Sequence, residues 1–160
     1  MGTATLMDGP EFLTNRGSAS LTSETSNGIA GRKFDVAVKT FDSYQSEFGP
    51  IGVCKIDVEG HELSVLKGAS QILSQKGMRD LIFEDFNAMP SPVARLLEGQ
   101  GFTIFRMGER WLKPVLTPIS NAPTPAGGFS YNYLATLQPE RAVARFRSPG
   151  WRCLLSWVSA

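Results

Sequence analysis

The stretch IGVCKIDVEGHELSVLKGA, residues 51–69, decides the fold. Its first six residues are a nearly continuous apolar run. Such a run predicts a strand of a parallel sheet, covered on both faces. Lys55 interrupts it and is expected to snorkel or to find an acidic partner. The run ends in Asp57, Glu59, Gly60, His61 and Glu62. The spacing then turns helical: Leu63, Leu66, Ala69, Ile72 and Leu73 fall at steps of three and four, which predicts one helix over 61–76. Glu62 sits in its first turn, where the helix dipole favours an anion. Lys76-Gly77 is a fitting stop.

Working outward, the same alternation continues downstream. LIFEDF (81–86) reads as a second strand that again ends in acids. Ser91-Pro92 reads as a cap followed by proline at the first helical position, opening a helix over 91–100. FTIFRM (102–107) is a third strand and YNYLATL (131–137) a last one, with a proline-rich loop over 113–128 between them. PERAVARF predicts a short helix, and SPGWRCLLSWVSA follows as an apolar tail. Upstream, TATLM, SASL and FDVAVKTF read as short strand-like pieces. Strands alternating with helices make an open α/β sheet. Ligands of such sheets bind beyond the carboxyl ends of the strands. Asp57/Glu59 and Glu84/Asp85 stand at those ends.

The totals narrow the function. The 160 residues suit one domain, and a 42% hydrophobic content supplies a core. A net charge of +1, with scattered lysines and arginines, argues against nucleic acid as a partner. No apolar run is long enough to span a bilayer, so no membrane span is expected. Cys54 and Cys153 are too few for a disulfide framework or a zinc site, which makes a reduced, cytoplasmic setting the default. MGTATLMDGPEF shows no basic region followed by an apolar core, so no signal peptide is read there.

KIDVEGHELSVLKGA also resembles the hallmark segment of the FkbM family of S-adenosylmethionine-dependent methyltransferases. Its flanks agree. VAVKTFDSY is similar to the family's strand and T-L-D segment, with Phe41 in place of leucine. GSASL, LIFEDF, LLEGQGFTIF and NYLAT resemble further family pieces, so the likeness covers roughly residues 3–137. The expected organisation is a partial methyltransferase domain over 1–137 and a C-terminal tail over 138–160. The resemblance implies a Rossmann-like class I methyltransferase sheet whose last strand is antiparallel. It implies S-adenosyl-L-methionine as cofactor and a hydroxyl on a sugar, lipid or natural product as acceptor. It also implies an earlier glycine-rich half, for which these residues hold no counterpart. The expectation is therefore a sheet truncated at its N-terminal side, with an exposed edge at 51–56 that supports self-association. A non-catalytic remnant of such a domain is the rival reading.

Methyl transfer to a hydroxyl needs alignment and a group to take the proton. Asp57 and His61 are the catalytic candidates, and Asp57, Glu59 and Gly60 the cofactor-binding ones. Against them stand simpler readings: Asp57 as a helix cap, Glu59 as a partner of Lys55 or Lys67, Gly60 as a turn, and His61 as a solvated residue. Asp57, Glu84 and Asp85 form an oxygen trio suited to Mg²⁺, as in some sugar O-methyltransferases that resemble this family in fold. The simpler reading is that adjacent acids on a strand point to opposite faces.

Overall fold

A computed structural model describes residues 2–7, 20–21, 32–58, 60–110, 113–121 and 131–147. They form two sheets. The first is antiparallel, in the order β2-β1-β3, from β1 (Gly2–Met7), β2 (Ser20–Leu21) and β3 (Lys33–Val38). Thr5 and Asp35 lie opposite each other and share a hydrogen bond of 3.0 Å.

The second sheet carries the core. It comprises β4 (Ile51–Ile56), β5 (Met78–Glu84), β6 (Thr103–Arg110), β7 (Lys113–Pro118) and β8 (Asn132–Thr136), in the order β4-β5-β8-β6-β7. β4 and β5 are parallel, while β8 runs antiparallel between β5 and β6. Pairing fixes the faces. Cys54, Leu81 and Ala135 lie in one row and Ile56, Phe83 and Tyr133 in the next. The second row stacks Phe83 on Tyr133 with ring centroids 5.5 Å apart. This face is buried by Leu66, Ile72, Leu73, Val93, Ala94 and Leu97 from the helices. Truncating a buried leucine such as Leu81 or Leu97 to alanine removes on the order of 2–5 kcal/mol.

Several expectations need correction. IGVCKI is the expected strand and pairs parallel, but it is not covered on both faces. Val53 is 55% exposed, and β4 is an edge strand among the described residues. The helix expected over 61–76 is two, α1 (Glu62–Lys67) and α2 (Ser70–Ser74). The break is imposed from 30 residues upstream. Asp42, in a 3-10 turn at Phe41–Tyr44, receives the N–H groups of Gln71 at 3.0 Å and Ile72 at 3.1 Å. Its own N–H donates to the Gly68 carbonyl at 2.9 Å. A carboxylate on these donors starts a new helix where the apolar spacing alone would continue the old one. Termination at Lys76-Gly77 holds: Lys76 adopts φ 58° and the Gly77 N–H returns to the Ile72 carbonyl at 2.8 Å.

The loop expected over 113–128 is in part β7, an edge strand paired with β6. An edge tolerates Pro114 and Pro118, because the missing donors can face away from the ladder. β5 begins three residues before LIFEDF, and β6 runs past FTIFRM to Arg110. Helix α3 (Pro92–Gly99) starts as expected, with Ser91 Oγ accepting from the Ala94 N–H at 3.0 Å. Helix α4 is Pro139–Phe146. Residues 8–19, 22–31, 122–130 and the tail at 148–160 lie outside the described residues.

α4 is tied to the opposite face of the sheet. Asp80, 4% exposed, accepts from Thr136 Oγ1 at 2.6 Å and from Arg79 Nε at 3.0 Å, and it pairs with Arg141 of α4. Burial alone would raise its pKa. The hydrogen bonds from Thr136, Arg79 and Arg141 outweigh that and hold it below its ordinary value.

Candidate functional site

β4 delivers its chain to the carboxyl edge of the sheet, and the turn that follows positions the candidate residues. Gly60 takes φ 90°, a left-handed conformation that side chains disfavour. A Cβ there would meet nothing within 4 Å, so the requirement is backbone shape and not room. The Gly60 N–H donates to Glu62 Oε1 at 3.2 Å, and Glu62 is only 8% exposed. Glu62 thus braces the turn from the first position of α1. His61 is the residue preceding the helix. Its carbonyl accepts from Ser64 and Val65, and its side chain makes no capping bond.

Asp57 does not cap α1. Lys55 Nζ donates to its Oδ2 at 2.7 Å. Strand alternation puts residues 55 and 57 on one face. The Ile56–Phe83 register brings Glu84 to the same face, one step beyond. Hydrogen bonding to Asp57 raises the Lys55 pKa above its ordinary value, and Asp57's charge adds to this; a desolvation effect opposes it, and the more distant charge of Glu84 adds a little. The cation that Asp57 holds is thus the protein's own lysine.

Asp85 turns the other way. It is 4% exposed, and its Oδ1 accepts from the N–H and the Nδ2 of Asn87 at 2.9 and 2.8 Å. Its Oδ2 is buried without a hydrogen-bond partner. Phe86, 64% exposed, leans on Tyr131 with ring centroids 4.7 Å apart. Among the described residues no three His, Cys, Asp or Glu side chains gather as a metal site. Asp57, Glu84 and Asp85 are thus not brought together as the expected Mg²⁺ trio, because neighbours on a strand face apart. Glu59 lies outside the described residues.

A cleft of ≈ 240 Å³ opens beside these residues. It is lined by Phe41, Cys54, Ile56, Val58 and Val65 with Lys55 and Asp57 at its polar side. Cys54 is half-buried there, and burial pushes its thiol pKa up.

Three groups escaped the sequence reading in their roles. Lys55 as the partner of Asp57 was within reach, since an i, i+2 pair on a strand shares a face. Phe86 and Tyr131 come from distant segments, and the contact of Asp42 with α2 spans 30 residues, so neither had a local signal.

No helix of the described residues is long and apolar enough to cross a membrane. No curated protein and no solved structure matches the chain. The methyltransferase FkbM domain matches it over residues 6–104, more than half its length, from β1 through Asp57, Gly60 and His61 into β6. The chain belongs to the FkbM methyltransferase family.

Proposed function

We propose that the chain is an S-adenosylmethionine-dependent methyltransferase that methylates a hydroxyl group on a sugar, lipid or natural product, in a cytoplasmic setting. The observation that carries this reading is the pairing of family membership with the turn at residues 57–61. That turn leaves a parallel strand at the sheet edge where ligands of α/β sheets bind. The order β4-β5-β8-β6, with β8 antiparallel, supports a Rossmann-like methyltransferase sheet of which these strands form one half.

The residues present suit the reactive end of the cofactor better than its adenosyl end. The apolar cleft and the tight turn at Gly60 accept a compact group. At ≈ 240 Å³ the cleft is smaller than the roughly 300–1,000 Å³ of sites that enclose a drug-sized ligand. Among the described residues no glycine-rich turn follows a strand upstream of β4. When bound, the cofactor supplies an electrophilic methyl group. The chain's own work is alignment and proton management. Asp57 accepts the acceptor hydroxyl's proton at a carboxylate oxygen, while Lys55 holds that carboxylate in one orientation. His61 stands second in line for the proton, four residues on. The apolar wall of Phe41, Val58 and Val65 limits water. The acids do not converge on a metal site, and no metal step is part of this reading.

Mass spectrometry of hydroxyl-bearing acceptors incubated with the chain and millimolar S-adenosylmethionine tests it. A single methyl gained on oxygen is expected. Methylation confined to nitrogen or carbon, or no transfer to any acceptor, would overturn the reading.

A further inference from the structure

Glu62 is a buried carboxylate, and the helix it opens does not require that burial. As the first residue of α1 it would suit the helix dipole equally well in solvent. It is instead 8% exposed, and its Oε1 accepts from the Gly60 N–H at 3.2 Å. A carboxylate taken out of water is retained where hydrogen bonds hold it. This bond runs against the usual direction. Capping side chains ordinarily stand before a helix and accept from its first N–H groups. The side chain of His61 does not do so, and Glu62 reaches backward, out of the helix, to the preceding turn.

The turn depends on that bond. Gly60 at φ 90° reverses the chain, and a Cβ there would meet no atom within 4 Å, so packing does not hold it. Two hydrogen bonds frame it: the His61 N–H to the Val58 carbonyl at 3.2 Å, and the Gly60 N–H to Glu62. The first closes the chain next to Asp57. The second ties the turn to α1, which Leu66, 1% exposed, anchors in the core. We propose that Glu62 is the positioning residue of the site: as acceptor for the Gly60 N–H, it holds the turn that carries Asp57 and His61 in place on α1. The inference rests on the reading of Asp57 as the proton acceptor. What residue 62 must supply is an acceptor oxygen of this reach. Glutamine has one, and leucine, of similar size, has none. Misplacing a reacting group by about 1 Å lowers a rate by as much as roughly 10²-fold, and Glu62 acts through the placement of Asp57.

Glu62→Gln and Glu62→Leu, made in the whole chain, test this, and circular dichroism verifies that both fold. Glu62→Ala gives the same comparison where leucine does not fold. The first readout is transfer of labelled methyl from millimolar S-adenosylmethionine to a hydroxyl acceptor. Glu62→Leu should lower kcat about tenfold or more, and Glu62→Gln less than about threefold. In an Asp57→Asn background Glu62→Leu should lower the rate no further, because both changes disable the same carboxylate. Amide exchange followed by NMR is the second readout and needs no acceptor. The Gly60 N–H should exchange about fivefold faster in Glu62→Leu than in the parent or in Glu62→Gln. A leucine variant with the parent's kcat, or with the parent's Gly60 exchange, overturns the proposal. So does a glutamine variant as slow as the leucine one, since charge at the helix start would then be what counts. A further loss in the Asp57→Asn background overturns it too, by showing that Glu62 acts elsewhere. A parent chain that methylates no acceptor defeats the methyltransferase reading instead, and Gly60 exchange then decides alone whether Glu62 holds the turn.

Discussion

Single residues set the charge logic of this molecule. Asp80 is buried with three donors, and its folded pKa lies below its ordinary value of 3.8. A carboxyl with a depressed folded pKa stabilises fully above its unfolded pKa and loses that contribution as pH falls through the folded one. The stability from Asp80 should therefore be intact at neutral pH and disappear as pH falls below about 4. Urea unfolding at pH 7 and pH 3 measures it. The loss between the two should be smaller in Asp80→Asn than in the parent chain, and equal losses would show that the network contributes no pH dependence. Gly60 makes a second residue-level case. An added Cβ meets no atom, so Gly60→Ala should destabilise only through its φ of 90°, by roughly 1–2 kcal/mol. A cost near zero in the same assay would mean that the turn relaxes freely.

Elements obey the sequence where the signal is local and depart from it where the partner is distant. Ser91-Pro92 opens α3 by its own chemistry, and the apolar rows of β5 and β8 locate themselves. The division between α1 and α2 was not legible, because Asp42 makes it from another segment. β7 was hidden by its prolines, which signal loop unless an edge position is known in advance. The same distinction divides the site. Asp57, Gly60 and His61 were legible as one turn. Alternation turns Glu84 and Asp85 apart, and the register of β4 on β5 decides that Glu84 is the one on the face of Asp57. Asp42→Ala should cost about 1 kcal/mol, with a range of roughly 0.5–2, by leaving the first donors of α2 uncapped. Hydrogen exchange should then rise at Gln71 and Ile72 before it rises in α3. Uniform exchange across both helices would contradict the capping role.

At the scale of the whole molecule, a sheet whose first described strand is an edge meets a family whose chemistry needs a cofactor. The described residues hold the turn with Asp57 and an apolar cleft, without a glycine-rich turn ahead of β4. The central claim, that the carboxyl end of β4 is the place of methyl transfer, is tested most directly by one comparison of rates. Transfer of labelled methyl from millimolar S-adenosylmethionine to a hydroxyl acceptor is measured for the parent chain and for Asp57→Asn. Loss of a proton-accepting carboxylate predicts a rate about 10²–10⁴-fold lower, with unchanged circular dichroism. Equal rates in the two proteins would contradict the account.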